Sequence, residues 1–232
     1  TLGEPMDLSL TSEQAIIQHT ARQFAESELA PLAELMDQNT DRVLFLGNLK
    51  KLAKLGFMGL NISSKYDGTE AGSIAFSLAI TEIAKACAST AVTVSVTNMV
   101  AEVIQAVGTE SQKTCYIPKI CSGEYAAGAF CLTEASAGSD PSGMKASATK
   151  NEDGWLINGN KQYITSAEYA GIFVVWAVTD KTLPQGKGIS CFLVEANTPG
   201  MIIGKAERKM GQHASSTNEV SFENCQVPDS AL

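Results

Sequence analysis

The stretch Phe130-Cys131-Leu132-Thr133-Glu134-Ala135-Ser136-Ala137-Gly138-Ser139-Asp140-Pro141-Ser142-Gly143 runs apolar for three residues, then turns small, polar and glycine-bearing. It predicts a strand whose C-terminal end enters a tight loop of side chains too small to block a ligand. Backbone N–H groups near Gly138 and Ser139 are unshielded and suit an anion. The Thr133 and Ser139 hydroxyls add donors beside them. Read alone, such a loop is also an ordinary turn after a strand.

A second stretch follows a hairpin turn at Glu152-Asp153-Gly154 and an alternating strand, Trp155-Leu156-Ile157-Asn158. It reads Gly159-Asn160-Lys161-Gln162-Tyr163-Ile164-Thr165-Ser166. Residues two apart share a strand face, so the Tyr163 ring and the Thr165 hydroxyl stand together. A flat aromatic ligand suits that pair, with a ring against its face and a hydrogen bond at its edge. An aromatic residue packed in a sheet core fits an isolated Tyr-x-Thr as well.

Together the two stretches resemble the acyl-CoA dehydrogenase family. The family's first signature is an aromatic, two small or apolar residues, then Thr-Glu-x-x-Ala-Gly-Ser-Asp, matched here from Phe130 to Asp140. The second is usually Trp-Ile-Thr and reads Tyr163-Ile164-Thr165. Lys209-Met210-Gly211, Ser216-Thr217 and Phe222-Glu223-Asn224-Cys225-Gln226-Val227-Pro228 are similar to the end of the family's middle domain. Thr109-Glu110-Ser111-Gln112-Lys113 and Pro118-Lys119-Ile120-Cys121-Ser122-Gly123-Glu124 resemble the helix that leads into it. The likeness covers nearly the whole chain in one order and is strongest to short-chain, butyryl-CoA-like members.

The resemblance implies an α+β fold: an N-terminal all-helical domain over residues 1–124, then a middle β-barrel or sandwich domain over 125–232. The family's C-terminal helical bundle, which carries the catalytic glutamate, would begin where this sequence stops and is absent from this chain. A truncated form, inactive alone, is therefore expected. The implied cofactor is FAD and the implied reaction is α,β-dehydrogenation of an acyl-CoA thioester, with hydride passing to flavin N5 and electrons to electron-transferring flavoprotein. A homotetramer is implied for the full-length form, in a bacterial cytoplasm or the mitochondrial matrix.

Carried over by residue, Phe130, Cys131, Leu132 and Thr133 line the flavin ring, and Gly138 and Ser139 lie against the FAD pyrophosphate. Ser139 also touches the acyl-CoA. Tyr163, Ile164 and Thr165 cover the far face and the N5 edge. No catalytic residue is expected in the chain, and Glu134 and Asp140 are read as loop braces. Two departures stand out: Tyr163 in place of tryptophan, and Gln212-His213 where many members carry a hydrophobic residue and arginine. An oxidase or flavin monooxygenase on the same fold, or a non-catalytic assembly module, are the alternatives.

Composition agrees with a folded globular protein. At 232 residues with 44% hydrophobic content, disorder is excluded as the main state. A net charge of -8 argues against nucleic acid, which wants a basic stripe. No uninterrupted apolar run of about eighteen residues and no signal sequence are evident, so a soluble intracellular protein without membrane contact is expected. The cysteines at 87, 115, 121, 131, 191 and 225 form no Cys-x-x-Cys pair and lie on apolar segments, which predicts buried free thiols. His19 and His213 lack clustered partners, which argues against a metal site or a Ser-His-Asp triad.

Along the chain, helices are predicted over 11–37 (broken by Pro31), 43–55, 73–87 and 89–107, with a short one over 110–116 ahead of Pro118. Residues 61–72 read as a loop with a turn at Lys65-Tyr66-Asp67-Gly68. The segment 90–97 is β-branched, yet its length and uninterrupted apolar character favour a buried helix. In 43–55, Leu46, Leu49, Leu52 and Leu55 are expected on one face. After Gly123 the period changes to two, predicting strands over 126–132, 146–150, 155–163, 172–178, 189–195 and 219–222, with Trp155 and Trp176 in their core.

Overall fold

The computed structural model describes residues 9–38 and 42–232; the first eight residues of the expected helical domain lie outside them. Helix α1, Ser12–Phe24, begins in a capping box: Thr11 Oγ accepts from Gln14 N–H while the Gln14 side chain returns to Thr11 N–H. Ahead of Pro31 the helix widens into a π turn over Ala25–Leu29, tightens over Ala30–Leu32 and resumes as α2, Ala33–Gln38. Then come α3 (Val43–Lys54), α4 (Gly72–Ala86), α5 (Ala88–Val107) and α6 (Glu110–Cys121). In α3, Leu49 and Leu52 enter the core, but Leu55 is 47% exposed because it caps the helix end instead of continuing the face.

Helix α6 corrects the expected stop before Pro118 and runs through it. An interior proline costs about 3 kcal/mol. Burying Ile117 and Ile120, both at 0% exposure, returns roughly 1.5–3 kcal/mol each and outweighs that cost. Helix α5 confirms the helical reading of the β-branched segment. On length and composition it could cross a membrane, which a search for uninterrupted runs misses. Half of that window is buried inside the fold, as expected of a core helix.

Seven strands form one curled mixed sheet: β1 (Gly128–Cys131), β2 (Ser147–Asn151), β3 (Gly154–Thr165), β4 (Ile172–Val178), β5 (Ile189–Glu195), β6 (Met201–Ala206) and β7 (Thr217–Val227). The order is β1-β4-β2-β3-β7-β6, with β5 paired to β4. Strand β6 was not expected, and β7 is far longer than 219–222 because it pairs with both β3 and β6.

One sheet face forms its own core around Cys131, Ile164, Phe173, Val175 and Phe192. The other face, with Ile172, Val174 and Leu193, packs on Val100, Ile104, Ile117 and Ile120 of α5 and α6, joining the two halves. Trp155 sits on the first core, its ring 5.6 Å from Phe192. Trp176 corrects its assignment: it faces the helices, 6.2 Å from Phe130, beside an apolar cavity of about 220 Å³. All six thiols are free, but Cys115 is exposed and Cys191 half-buried rather than buried.

Candidate functional site

The two signature stretches meet. β1 ends at Cys131, and the chain turns tightly as Glu134 and Ala137 exchange backbone hydrogen bonds at 3.0 and 3.1 Å. Gln162 N–H, on β3, donates to the Thr133 carbonyl at 2.8 Å. One residue back, Lys161 is fully buried, and its Nζ donates to the Leu132 carbonyl at 3.0 Å and to Glu134 Oε1 at 2.8 Å. Glu134 also accepts from the N–H groups of Lys145 (2.6 Å) and Ala146 (3.0 Å).

Burial opposes the charge on Glu134, but the Lys161 ammonium and the two backbone donors hold its carboxyl below the usual carboxylate range. Burial draws Lys161 below the ordinary lysine value despite the facing carboxylate. Glu134 is thus a brace, as expected. So is Asp140, whose Oδ1 accepts from Ser142 Oγ at 2.6 Å and Ser142 N–H at 3.0 Å and whose carboxyl is held low by them. Lys161 received no role from the sequence; a lone lysine within an apolar-alternating strand was the available signal.

The expected site residues divide into two groups. Tyr163 is 66% exposed, Leu132, Thr133 and Thr165 are half-buried, and Gly138 and Ser139 are exposed, so all are reachable. Cys131 and Ile164 are not. Their side chains lie in the sheet core, where burial pushes the Cys131 thiol up to about 12. Phe130 packs half-buried toward α5 and Trp176. A hollow of about 470 Å³ is lined by Glu134, Ala135 and Ser136 of the first stretch and Gly159, Asn160 and Gln162 of the second, together with Lys145, Ala146 and Glu219. Thr133, Tyr163 and Thr165 do not line it.

Two backbone features bear on ligand fit. Gly138 has no neighbour within 4 Å of where a Cβ would stand and no left-handed φ, so the fold itself does not require glycine there. The second is strain. Tyr163 (φ 59°) and Ser166 (φ 68°) are both left-handed, flanking Thr165 and breaking the regular pleat assumed from sequence.

His213 is not isolated, contrary to the sequence expectation. Its Nδ1 lies 2.7 Å from Asp37 Oδ2 and its Nε2 2.8 Å from the Lys209 carbonyl. With Nε2 occupied by a carbonyl rather than a serine, no triad forms. Among the described residues no cluster suited to a metal exists.

The family model for the acyl-CoA dehydrogenase N-terminal domain matches residues 11–124, and that for the middle domain matches 129–225. The chain belongs to the acyl-CoA dehydrogenase family. It is 39% identical over 97% of its length to the mitochondrial short/branched chain specific acyl-CoA dehydrogenase of Rattus norvegicus, covering 51% of that relative. A chain in a structure of the electron transferring flavoprotein of Acidaminococcus fermentans superposes with a TM-score of 0.91 at 38% identity, covering 98% of this chain and 59% of that one. An acyl-CoA dehydrogenase complexed with FAD from Bacillus anthracis gives a TM-score of 0.87 at 30% identity, covering 97% and 38% respectively. The chain spans about half the length of the curated relatives it matches.

Proposed function

We propose that the protein carrying this chain is an FAD-dependent acyl-CoA dehydrogenase acting on a short-chain acyl-CoA thioester and passing electrons to an electron-transferring flavoprotein. The observation that carries this reading is the direct bonding of the two signature stretches, Gln162 N–H to the Thr133 carbonyl and Lys161 to Leu132 and Glu134. Thr133 and Thr165, both half-buried, and Tyr163, 66% exposed, belong to these two joined stretches, which supports assigning them to one ligand. Bound FAD supplies the hydride acceptor for the substrate's β carbon.

The chain's own residues bind and orient. The Thr133 and Thr165 hydroxyls hydrogen-bond polar edges of the flavin ring, and their fixed dipoles favour the charge that develops there. The Tyr163 ring covers one face and excludes water from it. The bare Gly138 position lets the backbone approach a pyrophosphate, with the Ser139 hydroxyl beside it and in reach of the acyl-CoA. Glu134 takes no proton from substrate, since its oxygens are occupied by Lys161 and two backbone donors. The α proton goes to a carboxylate outside these stretches.

The test is to purify the full-length protein that carries this chain, not the 232-residue chain alone, and add butyryl-CoA without oxygen. A yellow protein whose flavin bleaches stoichiometrically supports the reading. A colourless protein that takes up no added FAD, or a flavin that butyryl-CoA leaves oxidised, contradicts it.

A further inference from the structure

We infer that Lys161 is a positioning residue for flavin binding, its buried ammonium clamping the Leu132 carbonyl and the Glu134 carboxylate so that the intervening residue, Thr133, is held in one orientation. This rests on the flavin reading proposed above. Lys161 is 0% exposed and cannot itself touch ligand or substrate, so any role it has is exerted through Thr133.

The geometry fixes two successive peptide planes. The Leu132 carbonyl points at Lys161 Nζ and the Thr133 carbonyl at Gln162 N–H. In a trans peptide the N–H opposes the C=O, so the Thr133 N–H is turned away from Lys161. Glu134 is bound at three points, which braces the turn in this arrangement.

Stability alone does not call for this arrangement. A buried ion pair is often replaced by apolar groups of similar volume without loss, and its better-attested use is to specify one geometry. Here the pair spans 27 residues and ties the first signature to the second. It is also the only salt bridge among the described residues with both side chains nearly fully buried, at 0% and 6% exposure. The remaining nearby atom, Met144 sulfur at 3.9 Å, is a weak acceptor and offers no alternative anchor.

The experiment compares the wild-type protein with K161M and with K161M/E134Q, which leaves no stranded charge. Each apoprotein is titrated with FAD, its urea midpoint is recorded, and the visible band of the bound flavin is compared at saturating FAD. K161M is expected to weaken FAD at least tenfold and to alter the band shape. K161M/E134Q is expected to recover much of the urea midpoint while keeping the altered band and weak affinity; should K161M not fold, this double variant decides. A merely structural lysine would leave the band of the saturated variants unchanged. That result, or affinities within twofold of wild type, overturns the inference while the flavin reading stands. A wild type that binds no FAD overturns both.

Discussion

At the scale of single residues, two glycines near the site separate what the fold needs from what a ligand needs. Gly159 has φ 139°, and a Cβ there would stand 2.6 Å from Ala146 Cα, a backbone neighbour that cannot step aside. Gly138 meets nothing. Gly159→Ala should therefore lower stability by about 1–3 kcal/mol, read as a fall in urea midpoint. Gly138→Val should leave that midpoint within about 0.5 kcal/mol of wild type and weaken FAD binding instead. Equal stability losses in both would show that Gly138 serves the fold. The turn after the first signature strand was legible in sequence from its small and glycine-bearing residues; that Gly138 has open space around it shows only in the fold. Lys161 was not, because a buried lysine is recognised only once its carboxylate, 27 residues away, is placed beside it.

At the scale of elements, helix and strand identities were largely legible from period and from turn residues, and the misses have physical causes. Local preference stops α6 at Pro118, whereas the tertiary burial of Ile117 and Ile120 carries it to Cys121. β6 is short, half-exposed and interrupted by Gly204, so alternation is weak. β7 hides its inward face behind polar letters: Asn218 is 0% exposed and donates to the Gly204 carbonyl at 2.9 Å. One side chain links α6 to the last turn of the chain. Gln112 completes the capping box with Thr109 and donates to the Ser230 and Leu232 carbonyls at 2.8 and 3.1 Å. Gln112→Ala should cost about 1–2 kcal/mol and speed amide exchange first in the opening turn of α6. An unchanged exchange pattern there would refute that role.

Across the whole molecule, the helical and β halves share the core described above and a polar clamp at its margin. Arg42 donates to Glu168 at 2.8 Å, to the His213 carbonyl at 3.0 Å and to the Ala214 carbonyl. Asp37 of α2 accepts from His213 N–H at 2.7 Å and faces its ring. Both ring nitrogens of His213 face acceptors, which only the protonated imidazole satisfies as a double donor. The Lys209 carbonyl and the Asp37 carboxylate raise its pKa above 6.5. Asp37 lies below its ordinary value, the hydrogen bonds from His213 overcoming the opposing effect of burial. The signs follow. The histidine contribution is fully present below the ordinary histidine pKa and is lost as pH rises through the raised one. The aspartate contribution is present above the ordinary carboxylate pKa and is lost as pH falls through the lowered one. Urea midpoints should therefore decline as pH rises above the ordinary histidine pKa in the wild type and flatten there in His213→Asn; parallel curves would rule the clamp out as a titrating contact. The sequence placed residues 37 and 213 in different halves and offered no reason to join them.

The most direct test of the joint flavin cradle is FAD titration of the apoprotein as wild type, Thr133→Val, Thr165→Val and the double variant. A hydrogen bond of about 1–1.5 kcal/mol predicts a loss of roughly 5–13-fold in affinity for each single variant. The expected result is that each hydroxyl weakens FAD by that order while the urea midpoints hold, with the double variant weaker than either. Wild-type protein that binds FAD, with both single variants binding it equally well, would contradict the claim that these two loops hold one flavin ring between them.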